Sequence, residues 1–528
     1  MKKNSTIYIL ISSLFLLMFS NFNIIANNDK TYITNEQAGK LLVGWSSVDI
    51  TPESPVPLQG QFAARVSEGV LDPLTATVLV LESVNEATTS RAIFVSCDII
   101  EVSNDLHTAV QDRLKRLLPE IKPEEVIINA THTHTAPDIS AYADTKTIYG
   151  IDLDAMSPAE NIEYISDKIA SGIKEAWENL KPGGISYGLG HAVVGYNRLS
   201  SDFSGKSEMY DYLNKPDFSH IEGFEDHSVN LIYTWDEKSI LTGVVINIPC
   251  PSQVTETLHQ LSADFWHETR LEVQARFGKD IFVLPQSSAA GDQSPHFRIG
   301  ESAELRMQQL MFPEETEIGD FTVAHRKQIA IRIADAVSSV YQYVNDKIDW
   351  NPILKNEMKT VDLSRRLMST KDVEDAVEET ENWTGKYEQL LQEINNPNFN
   401  KNGRWYAEIT QTYTRVKRGE SVKERYELEK IQPKMPINVH VVRIGDIVMA
   451  TNPFELYLDY GIRIKARSVA TQTFLIQLSN GSYGYLPTSR SIAGGAYGAV
   501  PASTFIGPEG GQELVEETLK MIDNIMKP

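Results

Sequence analysis

Cysteine is almost missing from this chain: Cys97 and Cys250 are the only two in 528 residues. That excludes a disulfide framework and leaves at most one Cys97–Cys250 bridge in an oxidising compartment. Cys97 lies in the run Ala92–Ile100, which reads as a core strand, so a simply buried thiol is expected there. Positive charge is also short, with 49 Lys and Arg against 71 Asp and Glu. The net charge of −22 argues against nucleic acid, because phosphate binding needs a concentrated positive surface. After residue 26 no apolar run is long enough to span a bilayer, so no transmembrane segment is expected. Gly-x-Ser-x-Gly elbows, His-Glu-x-x-His helices, Walker loops and Gly-x-Gly-x-x-Gly turns are absent. Common serine hydrolases, zincins and nucleotide enzymes are thereby disfavoured.

What is present begins with an export signature. Lys2-Lys3, the apolar stretch Ile7 to Phe19 and a short region ending at Ala26 read as a signal peptide over residues 1–26, with a periplasmic or secreted product. Residues 27–528 then read as one domain. Strands and helices alternate through the first 290 residues. Ser103 opens a helix with Leu106, Val110 and Leu114 on one face, and Ser157-Pro158-Ala159-Glu160 is a capping box. The pattern predicts an α/β fold: a layered mixed β-sheet core flanked by helices. Residues 355–430, rich in Glu, Lys and Gln, are expected to form a helical insertion on the outside. A hairpin around Ile444-Gly445 returns to the core.

The most informative segment is Asn129–Asp138, which contains His132-Thr133-His134 after the apolar run Val126–Ile128. In extended backbone, residues i and i+2 face one side, so both imidazoles would point at one spot. Such a pair suits a metal ligand beside a general base, against the plain alternative of two loop histidines. Four other segments also follow expected strands and carry reactive groups: Ala289-Ala290-Gly291-Asp292-Gln293-Ser294-Pro295-His296, Asn452–Glu455, Ser479–Tyr485 and Asn247–Ser252. Loops at the carboxyl ends of strands are where α/β sites gather.

Together these segments resemble the neutral, non-lysosomal ceramidases, a family of zinc amidohydrolases. The likeness runs from Trp45–Pro52 and Asp72-Pro73-Leu74 to Tyr497. Thr131–His134, Gly291–Pro295, Asn197-Arg198, Pro453–Glu455 and Asn480–Tyr485 occupy the family's motif positions, with Ser482 where the family has its first tyrosine. The resemblance implies zinc held by His132, Glu455 and Tyr485, with His134 as general base. Arg198 and Tyr497 would steady an oxyanion. Ser294 matches an essential serine, as nucleophile or as water-positioning hydroxyl, and Asp292 accompanies it in the catalytic motif. The family's second zinc histidine is replaced by Cys250. Thiolate is a competent zinc ligand, so a His/Cys/Glu/Tyr site, a different metal or a lost metal are all open.

A second, structural Ca or Mg ion is also left open. The resemblance implies a small amphiphilic or glycan-derived substrate, with an N-acyl amide of the ceramide type first. Another ester, amide or sugar-derived substrate on the same scaffold, and a non-catalytic glycan- or lipid-binding protein, are the alternatives. Only about thirty residues follow Tyr497, so the C-terminal β-sandwich of many ceramidases is not expected. The oligomeric state is not legible.

Overall fold

A computed structural model describes residues 39–84 and 89–527, so the expected signal peptide lies outside the described residues. Eight strands form the main sheet: β1 (Lys40–Asp49), β2 (Thr75–Val84), β3 (Thr89–Cys97), β4 (Val126–Ala130), β5 (Lys181–His191), β6 (Ser228–Asp236), β7 (Leu241–Ile248) and β8 (Phe282–Ser287). Their spatial order is β8-β7-β6-β5-β1-β2-β3-β4. The β3/β4 and β7/β8 pairs are parallel and the others antiparallel.

Alternation decides what packs where. Leu79 and Leu81 of β2, Ala92 and Phe94 of β3 and Ile127 of β4 face a second sheet. Their neighbours Val78, Val80, Ile93, Val95, Val126 and Ile128 face helices. Those helices are α1 (Asn104–Leu117), capped by Ser103, and α2 (Pro158–Glu178), which opens with the expected capping box. At the other end of the sheet, Leu231, Tyr233, Val244 and Ile246 pack on α3 (Phe265–Phe277) and α4 (Val323–Val344).

The second sheet holds β9 (Leu354–Ser364), β10 (Lys434–Ile444), β11 (Ile447–Thr451) and β12 (Gln472–Ile476), in that order. Val442, Ile444, Ile447, Met449, Phe474 and Ile476 meet the main sheet. Val439, Val441, Val448, Ala450 and Leu475 point the other way. A mixed, layered α/β fold is therefore what the chain adopts.

One boundary differs. The expected insertion at 355–430 begins with the strand β9, and only α5 (Thr370–Ile394) and α6 (Ala407–Ile431) are helical. Lys355, Glu357, Lys359 and Asp362 gave residues 355–364 the composition of a helix. Full-length antiparallel pairing with β10, and burial of Leu354, Val361 and Leu363, make it a strand. Tertiary pairing outweighs local propensity here.

Both cysteines are free and buried. A fully buried guanidinium joins two helices to the loop ahead of β2 instead. Arg326 of α4 donates to Asp72 Oδ2 at 2.7 Å, to Glu268 Oε2 of α3 at 2.9 Å and to Ser262 Oγ at 3.0 Å. The Ser262 carbonyl in turn accepts from Thr133 Oγ1 at 2.8 Å and Thr135 Oγ1 at 3.0 Å. The backbone around the histidines thus rests on this cluster. Arg326→Met should cost roughly 3–5 kcal/mol, because two carboxylates stay buried without their counter-charge. Urea denaturation of the variant checks this, and a loss below 1 kcal/mol would count against it (about the value of an exposed pair).

Candidate active site

Three parallel pairings, β3/β4, β7/β8 and β11/β12, send their carboxyl ends to one region, and the loops that leave them carry the reactive groups. Gln477, just past β12, ties these loops together. Its Oε1 accepts from Ala290 N at 3.0 Å and Leu456 N at 3.1 Å, and its Nε2 donates to Ser287 Oγ at 3.2 Å. Gly291 lets two loops touch: a Cβ there would lie 2.3 Å from the Glu455 carbonyl oxygen. Glu455 and Tyr485 are direct partners in a two-residue parallel ladder, so their side chains leave on the same face.

The two imidazoles do converge, though not by strand alternation. β4 ends at Ala130, and His132 adopts φ 64, a left-handed conformation uncommon for a non-glycine residue. His132 Nδ1 lies 2.6 Å from the Ile100 carbonyl, which fixes its proton on Nδ1 and leaves Nε2 as a lone pair. That lone pair faces His134 Nε2 at 3.4 Å and Glu455 Oε2 at 3.5 Å. Arg198 closes the cluster, with Nη2 3.8 Å from Glu455 Oε2 and donating to Tyr485 OH at 3.3 Å. Burial lowers the charge preference of Arg198, but Tyr210, Tyr485 and Glu455 outweigh it and hold the guanidinium well above its ordinary value. Burial, then Glu455, pushes the Tyr485 phenol up. Burial, then His132, Arg65 and Arg198, keeps His134 well below the usual imidazole range.

The remaining expected residues occupy different places. Ser294 is fully buried, its Oγ accepting from His296 N at 3.2 Å. Asp292 is engaged by Asn197 Nδ2 at 2.8 Å and Leu458 N at 2.9 Å, and burial raises it to about 6. Its backbone carbonyl accepts from Arg198 N at 2.9 Å, so it sets the Arg198 backbone. Tyr497 is 39% exposed at the mouth, edge-on to Tyr485 with ring centroids 6.0 Å apart. The Arg418 guanidinium from α6 sits 5.2 Å over the Tyr497 ring, so the helical hairpin walls that side.

Cys250 is not brought into this group. It packs with Val194, Val229 and Ile248, its Sγ reaches only the Pro251 carbonyl at 3.4 Å, and burial pushes the thiol well up. Among the described residues no set of three or more His, Cys, Asp or Glu side chains is arranged as a metal site. The donors that do meet are His132 Nε2 and the Glu455 carboxylate, with the Tyr485 phenol beside Glu455. Proton bookkeeping tests whether a cation fits them. With its proton on Nδ1, His132 offers only a lone pair to His134 Nε2, so His134 must donate from Nε2. Its Nδ1 is then bare, buried without a hydrogen-bond partner and 3.3 Å from Glu256 Oε2. A cation on His132 Nε2 removes the demand on His134 and lets its proton face Glu256. The donors therefore suit a zinc ion carried by imidazole, carboxylate and phenol oxygens.

Four groups here escaped the sequence reading. Glu256 and Gln477 belong to no spaced motif. Tyr210 receives Arg198 Nη1 at 2.5 Å and also bonds Gln253. Glu101, raised by burial, accepts from Gln59 at 2.7 Å and from Ser482. Ser482 was legible as a departure from the motif, but its partner was not.

A cavity of about 910 Å³ opens beside the cluster, lined among others by Tyr210, Glu256, His296, Arg298, Asp320 and Phe321. His296 lies between Asp320 at 3.3 Å and Glu256 at 3.6 Å, with Tyr210 edge-on. Burial opposes its charge, yet the two carboxylates raise it to about 9. A raised histidine stabilises the fold fully below its ordinary value of 6.5 and loses that contribution as pH climbs through about 9. Between pH 6.5 and 9.5 the wild type should lose roughly 3 kcal/mol through this group, at 1.36 kcal/mol per unit. His296→Phe should flatten that slope in urea titrations, and an unchanged slope would remove His296 as its source.

Residues 41–209 match the family model described as neutral/alkaline non-lysosomal ceramidase, N-terminal. The fold is shared with a neutral ceramidase from Pseudomonas aeruginosa, with TM-score 0.63 at 17% identity over 92% of this chain and 74% of that one. A ceramidase complexed with C2 gives the same TM-score and identity, over 92% of this chain and 75% of that chain. No protein of curated function matches the chain. The likeness to the neutral ceramidase family thus holds in both sequence and fold.

Proposed function

From that likeness, we propose that the chain is an exported hydrolase of the ceramidase type, cleaving the amide of an N-acyl, amphiphilic substrate with zinc as cofactor. The observation that carries this reading is the meeting of His132, His134, Glu455, Arg198 and Tyr485 at the carboxyl ends of parallel strands. His132, Glu455 and Tyr485 would hold the metal. When bound, zinc would polarise the scissile carbonyl and acidify a water.

His134 takes the proton of the attacking water through Nε2 and returns it to the leaving amine, a role suited to a neutral imidazole. Arg198, fixed by Gly291 O at 2.8 Å and by Tyr210, faces the negative charge that develops on the carbonyl oxygen. Tyr497 adds a phenolic donor from the mouth. Ser294, pinned by the His296 amide, orients the water or the substrate carbonyl. The neighbouring cavity carries charged and aromatic walls, which suits a polar headgroup.

A non-catalytic lipid- or glycan-binding protein is the second reading, favoured by the apolar setting of Cys250. Metal analysis and turnover separate the two. Purified protein should carry about one zinc and hydrolyse short-chain ceramide or an aryl ester, with activity lost to chelator and restored by zinc. His132→Ala or Glu455→Gln should lose the metal and at least about a hundredfold in kcat. Cys250→Ser should keep its metal; zinc loss in that variant would return Cys250 to the ligand set. Turnover insensitive to chelator would defeat the zinc mechanism.

A further inference from the structure

Behind His134 stands a line of titratable groups, the half-buried Glu256 and Asp320 with the buried His296 between them, that the family motifs do not include. Glu256 Oε2 lies 3.3 Å from His134 Nδ1, and Glu256 Oε1 lies 3.6 Å from His296 Nε2. His296 Nδ1 lies 3.3 Å from Asp320 Oδ1. Asp320 is fixed in turn: its Oδ1 accepts from Phe297 N at 3.0 Å and its backbone carbonyl meets His325 Nδ1 at 2.7 Å. The backbones of His134 and Glu256 share one clamp, the Arg65 guanidinium, which donates to His134 O at 2.5 Å and Glu256 O at 2.8 Å.

We infer that Glu256 and His296 are positioning residues for His134: Glu256 holds the imidazole in the Nδ1–H tautomer, and His296, backed by Asp320, holds Glu256 in place. The reason is the single proton of a neutral imidazole. A base acting through Nε2 must keep that proton on Nδ1, and Glu256 is the carboxylate facing Nδ1. A carboxylate free to turn would select nothing. His296, placed between two carboxylates, fixes the far oxygen of Glu256. The separations exceed those of formed hydrogen bonds, as expected of a base that tightens on loading. The inference rests on the reading of His134 as general base.

The test uses the full chain, with short-chain ceramide and an aryl ester as probes. Glu256→Gln should cut kcat about 100-fold, well beyond any change in KM, because the tautomer acts on the chemical step. If that variant does not melt cooperatively, Glu256→Asp, with its carboxylate drawn back by one methylene, gives the same readout. His296→Ala should lose about tenfold in kcat, and added imidazole, entering through the 910 Å³ cavity, should restore most of it. His296→Phe, which keeps the bulk without the nitrogens, should stay impaired. In zinc-loaded protein, ring ¹⁵N shifts should give His134 as Nδ1–H in the wild type and Nε2–H in Glu256→Gln. The same tautomer in both proteins, or a wild-type kcat in Glu256→Gln, would overturn the proposal for Glu256. No rescue by imidazole would overturn it for His296. A wild type that turns over neither probe defeats the proposed hydrolase instead, and the ¹⁵N readout still decides the tautomer.

Discussion

One guanidinium carries much of the scaffold. Arg326 is fully buried, faces Asp72 and Glu268, and through Ser262 reaches the threonines on either side of His134. Desolvating such a cluster is expensive, and the attraction repays it only when every donor finds an acceptor. Here the helices α3 and α4, the Asp72 loop and the histidine loop all meet at it. A hydrophobic replacement could pack that space, but it could not orient Ser262 toward Thr133 and Thr135. The cluster converts helix packing into a fixed backbone under the reactive residues.

The same economy recurs around the site. Gln477 serves three loops, Arg65 holds the carbonyls of His134 and Glu256, and Asp292 joins Asn197 to the start of the helix at Leu458. None of these touches a substrate-sized space directly. Each fixes a loop whose backbone leaves a parallel strand, where no ladder continues to pair it. Positions within a few tenths of an ångström matter in such a constellation, and buried side-chain-to-backbone bonds supply that control.

Much of this was legible in the sequence, for identifiable reasons. The N-cap at Ser103, the capping box at Ser157 and the alternation of β10 and β11 are local signals, and they placed their elements well. The convergence of His132, Glu455 and Tyr485 was readable only through motif likeness, because more than three hundred residues separate His132 from the other two. Strand alternation suggested that His132 and His134 face together, whereas a left-handed His132 achieves it. Residues 355–364 read as helix because charge hid a strand whose identity depends on β10. Glu256 left no signal, and His296 showed only as the last residue of the Ala289–His296 loop: their meaning lies in what surrounds them, and periodicity cannot report that.

The ladder that joins Glu455 to Tyr485 has only two rungs. The residues flanking those rungs therefore decide which way the phenol points. Insertion or deletion of one residue near that bridge would turn Tyr485 to the opposite side of its strand. The α5–α6 hairpin, by contrast, can lengthen or shorten at its Asn395–Gly403 turn without shifting any strand. Evolutionary drift in this scaffold is thereby channelled: loop-length variation can accumulate in the outer wall, while the segment carrying the phenol is held to a fixed count.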